Sequence, residues 1–149
     1  MDLNQIVAGL WYENSHITEI SAKCIRPSIN EGASISFGFD IGYSKPMIVE
    51  NKKYGRLRMI TRVTIEYNDD NQTPDVIDLS MEGIFSCSVT LEDEQFLNML
   101  NINGAAALYS IMRAKIETIS GMIYETGKIA LPMINIIQYY EEKSKEVKD

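Results

Sequence analysis

The sequence predicts an α+β fold: a four-stranded antiparallel sheet with a long helix and a C-terminal helix on one face. In the first half of the chain, apolar and polar residues alternate, which is typical of strands that expose one face to water. In the second half, apolar residues recur every three or four positions, which is typical of amphipathic helices. Because the strands precede the helices instead of alternating with them, the pattern favours helices packed on an antiparallel sheet.

The 149 residues fit a single domain with a distinct segment at each end. Residues 1–14 form a marginal N-terminal segment, in which apolar residues over 1–12 have the spacing of a short helix. Residues 141–149, of which seven are charged, are predicted to be the solvated, frayed end of a helix.

Four strands are expected in meander order, at residues 16–24, 34–41, 57–67 and 76–89. The first strand ends before Pro27, because proline cannot donate to a ladder and restricts the residue before it. A loop at 45–53 follows the second strand, and a run of turn-forming residues at 68–74 follows the third. The second strand carries all its large apolar side chains on one side, namely Ile35, Phe37, Phe39 and Ile41.

The helices come after the strands. An acidic helical turn at 92–94 opens this part, and a break at 101–104 separates it from a long helix at 105–123. A connector at 128–132 then leads to a last helix at 135–143. The long helix carries a narrow apolar seam that requires a partner helix or a sheet, formed by Ala105, Leu108, Met112, Ile116, Ile119 and Ile123.

Composition excludes several classes of protein. The formal charge of −7, with 21 acidic and 14 basic side chains, disfavours a general nucleic-acid binder, because binding to phosphates depends on cationic side chains. The acidic balance favours solubility and could also attract a basic partner. No stretch reaches the ~20 apolar residues that span a bilayer, and the N-terminus has no signal-peptide pattern. We therefore expect a cytoplasmic protein that does not insert into membranes.

The residue types needed for catalysis are sparse. His16 is the only histidine, and the two cysteines, Cys24 and Cys87, lack the spacing of a zinc site, so both are expected to be free thiols in a reducing compartment. Neighbouring carboxylates occur in exposed runs, where water keeps both ionised. No glycine-rich loop leads into a helix that begins with Lys-Ser or Lys-Thr. The sequence therefore predicts no enzyme, no metal and no cofactor.

Apolar and aromatic side chains exceed the needs of a small sheet core. The excess includes Phe37, Phe39, Tyr139 and Tyr140, together with eight methionines, which are large and adaptable side chains found on surfaces that accept many partners. The alternative is that the aromatic residues of the second strand simply fill the core.

Three segments resemble the SecB-type export chaperones over roughly residues 17–142. The first is the strand end Glu-Gly-Ile-Phe-Ser at 82–86, and the third is Leu-Pro-Met-Ile-Asn at 131–135. The second is the long helix at 103–123, with Leu108-Tyr109, Arg113 and Ile116 at their spacing. The resemblance implies an ATP-independent holdase that keeps unfolded polypeptides in apolar grooves for protein export. It also implies a homotetramer built as a dimer of dimers.

The resemblance also implies roles for particular residues. Polypeptide binding falls on one strand and the last helix, at Ile35, Phe37, Phe39, Ile41, Ile136, Ile137 and Tyr140. The oligomer interface falls on the long helix, at Leu108, Met112, Ile116 and Ile119. Docking of a SecA-type translocase motor falls on an acidic face at Glu19, Asp78 and Glu82, although Lys23 stands where the family has another acid.

Two alternatives to export remain open. Some SecB-like chaperones guard an antitoxin in a toxin, antitoxin and chaperone system, and a single sequence does not separate that role from export. The other alternative is a non-chaperone oligomeric adaptor whose apparent groove residues are core.

Overall fold

The α+β class is confirmed by a computed structural model, which describes residues 9–148. The elements are β1 (Trp11–Lys23), β2 (Ser34–Tyr43), β3 (Met47–Val49), β4 (Lys52–Glu66), β5 (Asp75–Ser88), α1 (Asp93–Met99), a π-helical segment (Leu100–Gly104), α2 (Ala105–Ile123) and α3 (Ile136–Glu146). None of the helices in this part of the chain is long and apolar enough to cross a membrane.

The strands form one antiparallel sheet in the order β1-β5-β4-β2, and the short β3 pairs with the start of β4. The predicted meander order is therefore wrong, because β1 lies beside β5 and not beside β2. Alternation shows which residues face the core, but it does not show which strands are neighbours. The chain crosses from β1 to β2 through residues 24–33, where Ile25 N–H donates to Asp75 Oδ1 (3.0 Å) and Ile29 N–H donates to Thr126 O (3.2 Å).

β1 is longer than the predicted strand at 16–24. It begins at Trp11, so residues 11 and 12 are extended and do not belong to a helix; residues 1–8 of the predicted helix lie outside the described part. The pairing of β1 with β5 shifts register between Tyr12 and Asn14 and again between Ile17 and Glu19. Such irregularities interrupt the alternation of side chains, which is why periodicity alone placed the start of the strand too late.

A hairpin occupies the region that was expected to be a loop at 45–53. β3 pairs with residues 52–54, so β4 begins at Lys52 instead of residue 57. The two turn residues, Glu50 and Asn51, have φ of 46° and 67°, as a tight hairpin turn with two left-handed residues requires. Glutamate is an unusual residue for the first of these positions, so the sequence carries no clear turn signal here.

The core lies between the inner face of the sheet and α2. The inward side chains of the two central strands are fully buried, among them Leu57, Met59, Leu79 and Met81. The seam of α2 packs against them: Leu108, Met112 and Ile116 are all 0% exposed within one chain. The partner of the seam is therefore the chain's own sheet.

This packing bears on the predicted oligomer interface, which was placed on the seam of α2. Leu108, Met112 and Ile116 are core residues and present no surface to a second chain, whereas Ile119 is half-buried at the margin of the core. Periodicity identifies a face that must be covered, but it does not show whether the cover comes from the same chain.

The break expected at 101–104 is absent, because the backbone stays helical from α1 through the π-helical segment into α2. Two glycines allow the close packing of this region on β4. A Cβ on Gly104 would lie 3.1 Å from Leu57 Cδ1, and a Cβ on Gly55 would lie 2.8 Å from both Leu100 Cδ2 and Phe96 Cζ. Close packing against the sheet thus favours helix over the turn that Asn and Gly predict.

We expect Gly55→Ala to destabilise the domain by about 2 kcal/mol, because the added methyl group overlaps two fully buried side chains. Gly42→Ala is the matched control, since Gly42 also lies in a strand but has no atom within 4 Å of an added Cβ. Urea unfolding of both variants measures the effect. Equal free energies of unfolding for the two variants would contradict the packing described for Gly55.

Candidate functional site

An apolar groove lies beside the edge of the sheet, between β2, the connector (residues 128–135) and α3. We refer to it as the β2–α3 groove. Its volume is about 480 Å³, and its walls are mainly apolar or aromatic. The side chains that shape it are Phe37, Phe39, Tyr109, Leu131, Met133 and Tyr139.

The groove is open because one helix cannot cover four strands. An α-helix with its side chains is about 10 Å wide, whereas neighbouring strands are about 4.8 Å apart, so α2 covers roughly the two central strands. The inward side chains of the edge strand β2 are left partly uncovered: Phe37 is 42% exposed and Ile35 is 37% exposed. Apolar side chains of an inner sheet face are normally buried, so their exposure indicates a binding surface.

Side chains of α2 hold the connector in place by binding its backbone. Ser120 Oγ accepts a hydrogen bond from Ile129 N–H (2.8 Å), and Arg113 Nε donates to Leu131 O (2.9 Å). Tyr109 Oη donates to Pro132 O (2.5 Å). These bonds satisfy an extended backbone that belongs to no sheet, and they leave Met133 projecting into solvent with 84% of its surface exposed. The sequence pattern predicts no such role for these side chains.

An aromatic cluster forms the end of the groove nearest α3. Phe39 makes edge-to-face contacts with Tyr109 and Tyr139, with ring centroids 5.3 Å and 5.2 Å apart. Tyr139 Oη donates to Asp40 Oδ1 (3.1 Å), and Lys143 Nζ lies 3.4 Å from the same oxygen. Burial, followed by the neighbouring Asp40 carboxylate, raises the pKa of Tyr139. The cluster is thereby held in one arrangement while Phe37 stays accessible.

Of the predicted polypeptide-binding residues, Phe37 and Phe39 line the groove. Ile137 and Tyr140 lie on the other side of α3, next to the π-helical segment. Ile35 and Phe37 are exposed, Phe39 and Ile41 are half-buried, and Ile137 is 53% exposed. Two of the predicted residues, Ile136 and Tyr140, have their side chains packed against the rest of the domain. Ile136 is buried and anchors the start of α3 to the core, next to the cap that Asn135 Oδ1 provides for Gln138 N–H (3.1 Å).

Tyr140 is half-buried between α3 and the rest of the domain, and its hydroxyl oxygen is buried without a hydrogen-bond partner in the described residues. Burial, followed by the nearby Tyr139 and Tyr43, raises its pKa from the ordinary value of 10.0 to about 12. An unpaired buried hydroxyl costs free energy, because it loses its bonds to water and gains none.

We expect Tyr140→Phe to raise the free energy of unfolding by about 1 kcal/mol, because it removes the unpaired hydroxyl and keeps the ring. The control is Tyr139→Phe, which loses the bond to Asp40 and should be neutral or destabilising. Since the folded-state pKa of Tyr140 is raised to about 12, ionisation of this tyrosine leaves the stability of the wild type unchanged below about pH 10. Between pH 10 and 12 the unfolded chain ionises first, so the wild type loses stability there and Tyr140→Phe does not. Thermal melts at pH 8 and pH 11 measure both effects; a less stable Tyr140→Phe at pH 8 would show that the hydroxyl has a partner.

The three predicted docking carboxylates lie together on the outer face of the sheet, but their surroundings are not uniformly acidic. Arg62 binds Asp78 through two bonds (2.6 Å and 3.0 Å), and Arg56 Nε lies 2.9 Å from Glu82 Oε1. Only Glu19, opposite Ser80 on β5, makes no ion pair among the residues described. The arginines of β4 offset much of the negative potential that a basic partner would recognise.

A second exposed apolar surface, the β1–α2 surface, lies between β1 and the outer side of α2. It is a shallow, mainly apolar depression of about 570 Å³ formed by Ile17, Ser110, Ile111, Ala114, Lys115, Thr118 and Ile119. Further along β1, Tyr12 and Ile20 are about half exposed, at 51% and 49%. Small side chains on this side of α2 allow another chain to approach closely.

No group of three or more His, Cys, Asp and Glu side chains in residues 9–148 is placed to hold a metal ion. His16 is exposed on β1 opposite Glu82. Both cysteines are free, and burial raises the pKa of the Cys24 and Cys87 thiols, so that neither is a thiolate at neutral pH.

Comparison with known proteins supports the fold. No family model matches the sequence, and no curated protein matches it either. Among solved structures, the chain is similar to a SecB-like chaperone of Mycobacterium tuberculosis, determined in complex with a ChAD peptide from the HigA1 antitoxin. The TM-score is 0.68 and the identity 13%, over 89% of this chain and 95% of that one. The resemblance seen in the sequence is thus confirmed in three dimensions: the chain has the fold of a SecB-like chaperone.

Proposed function

We propose that the protein is an ATP-independent holdase, which binds unfolded polypeptides in the β2–α3 groove. The observation that carries this proposal is the open inner face of β2, where Ile35 and Phe37 remain exposed and Phe37 lines the groove together with the exposed Met133. The surface of the groove is mainly apolar. A site specific for a small molecule would instead direct several polar groups at one point. A flexible methionine and exposed aromatic rings suit many different apolar segments.

We propose independence from ATP because no glycine-rich loop in the sequence leads into a helix that begins with Lys-Ser or Lys-Thr. Release of a client would then depend on the client's own folding or on transfer to another protein. A modest affinity per segment suits that role, because a client held too tightly would not leave.

We further propose that the chain assembles into a homotetramer through the β1–α2 surface. We place the interface here and not on the predicted seam, because Ile20 is 49% exposed and Ile111 only half-buried, whereas Met112 is fully buried. Sedimentation at micromolar concentration is expected to give a mass near four times 16.9 kDa. A strict monomer would contradict this assembly.

The holdase proposal predicts that the protein suppresses aggregation of reduced, unfolding insulin at near-stoichiometric concentration and without nucleotide. Light scattering at 360 nm follows the aggregation, and serum albumin at the same mass concentration is the control for nonspecific effects. Unchanged scattering at a several-fold excess of the protein would contradict the holdase function.

A role with one dedicated client is the second candidate, and two observations favour it over export. Two of the three carboxylates proposed for motor docking are paired with arginines, and the similar Mycobacterium tuberculosis chaperone was solved with an antitoxin peptide. Export remains a proposal that depends on Glu19 and on exchange of the ion pairs at Asp78 and Glu82.

Capture of bound proteins from the native cytoplasm separates the two candidates. Many secretory precursors together with a translocase motor would support export, and motor binding should weaken with added salt because the docking charges are exposed. One small partner encoded beside the chaperone would support the dedicated role. Loss of motor binding in a Glu19→Gln and Asp78→Asn variant would assign the docking face.

A further inference from the structure

The edge of β2 carries unpaired backbone groups on the same residues that line the groove. Ser44, which directly follows β2, donates its N–H to Arg56 O of β4 (3.1 Å), and Gly38 O accepts from Thr61 Oγ1 of β4 (3.0 Å). Pairing runs without a shift from Ser34 opposite Glu66 to Tyr43 opposite Leu57. Since backbone groups of successive residues point to opposite sides, the even-numbered residues face β4 and the odd-numbered ones face away from it.

Ile35, Phe37 and Phe39 therefore direct both their N–H and their C=O away from the sheet. In residues 9–148, no strand lies on that side of β2. Beyond Phe39 the edge is covered, because Tyr139 and Lys143 of α3 both bind the Asp40 carboxylate. The open part of the edge is thus about five residues long, or about 17 Å at 3.4 Å per residue.

This edge lacks the protections that usually prevent strand pairing. β2 contains no lysine, proline or register shift, whereas the opposite edge strand β1 has two shifts and carries Glu13, Glu19 and Lys23. An unprotected edge offers pairing to any extended chain that reaches it. The odd-numbered side chains beside it point into the groove, so an added strand would place every second side chain there as well.

We infer that an unfolded client binds as an added β-strand on the Ile35–Phe39 edge, with its alternate apolar side chains in the β2–α3 groove. This inference rests on the proposed function and describes how the client is held. A client segment fits the open edge better than a second copy of the chain does. Five paired residues are too few for a permanent interface, since two-stranded pairing of that length is marginal in water, but they suit a transient complex that also gains apolar contacts.

Backbone bonds would also explain how one groove accepts many sequences. Every client offers the same N–H and C=O groups in extended conformation, while the groove requires only apolar side chains at alternate positions. Most folded proteins protect their strand edges against pairing, so the edge favours unfolded chains over folded ones.

Amide hydrogen exchange read residue by residue tests the inference. The probe is reduced and carboxamidomethylated pancreatic trypsin inhibitor, an unfolded basic chain that complements the net charge of −7. Binding should slow exchange at the N–H groups of Ile35 and Phe37 about tenfold or more, while Ser36 and Gly38, already bonded to β4, stay unchanged. A bound client that leaves Ile35 and Phe37 exchanging as in the free protein would overturn the inference. If these amides exchange slowly without client, and still more slowly at higher protein concentration, the edge pairs with a second copy of the chain. That result would also overturn the inference.

A pair of variants at one position provides an independent check. Ile35→Pro removes an edge N–H that the β2–β4 ladder does not use, and Ile35→Ala removes the side chain but keeps that N–H. We expect Ile35→Pro to bind the probe about fivefold more weakly than Ile35→Ala, which corresponds to one lost hydrogen bond. Equal affinities would overturn the inference, and if Ile35→Pro fails to fold, the exchange experiment decides. Absence of any binding by the wild type would contradict the holdase proposal itself, an outcome distinct from binding without edge protection.

Discussion

Phe37→Ser is expected to abolish most client binding while the domain stays folded. The ring of Phe37 is 42% exposed at the centre of the β2–α3 groove, and it does not belong to the buried core. Truncation of an aromatic residue at the centre of a binding surface typically costs about 2 kcal/mol, which corresponds to roughly a thirtyfold weaker complex. Loss of a partly exposed side chain should cost the domain itself only about 1 kcal/mol.

The matched control is Ile60→Ser, which removes a side chain of similar exposure (38%) from the outer face of β4, away from the groove. Insulin light scattering measures holdase activity, and circular dichroism melting measures stability. If both variants retain full activity, Phe37 is not part of the client site. If Phe37→Ser unfolds the domain, the residue belongs to the core, as the adaptor alternative requires.

Phe39 and Tyr140, which sequence analysis grouped with Phe37, are expected to behave differently. Phe39 contacts two aromatic rings that help to place α3, so Phe39→Ser should lower both stability and client binding. Tyr140 is partly buried at the other side of α3, so its loss tests the position of the helix more than contact with the client.

The sequence was sufficient to predict the class of the fold, the inner faces of the central strands and the extent of α2. These features depend on periodic burial, and Leu57, Met59 and Leu108 follow the period without interruption. The start of the N-terminal strand and the β3–β4 hairpin were missed for local reasons. The first has register shifts that break alternation, and the second turns at Glu50, a residue that does not signal a left-handed turn.

The site was predictable only in part. Periodicity identifies an apolar face, but it does not show whether another element of the chain covers that face. Ile35 and Phe37 have the same pattern as the buried Met59 and Val63 of the next strand. Their exposure results from the position of β2 at the sheet edge, which depends on strand order and hence on long-range pairing. The arginines that pair with Asp78 and Glu82 come from β4, so their effect on the acidic face also depends on this order.

The largest effect on stability is expected for Met112→Asp, which should unfold the domain. Met112 is 0% exposed between α2 and the central strands. The substitution both leaves a cavity and places a carboxylate in an apolar core, and each change costs at least about 3 kcal/mol. Their sum is comparable to the whole stability of an ordinary domain of this size, which is about 5–15 kcal/mol.

Ala114→Asp is the matched variant on the same helix, and its expected effect is different. Ala114 is exposed on the β1–α2 surface, so a charge there stays hydrated in the single chain and opposes association when two such surfaces meet. We expect a normal far-ultraviolet circular dichroism spectrum for Ala114→Asp, together with a mass below that of the wild-type assembly in sedimentation. A folded, fully assembled Ala114→Asp would exclude this surface as the interface. A folded Met112→Asp that merely dissociates would restore the α2 seam as the interface and contradict its packing against the sheet.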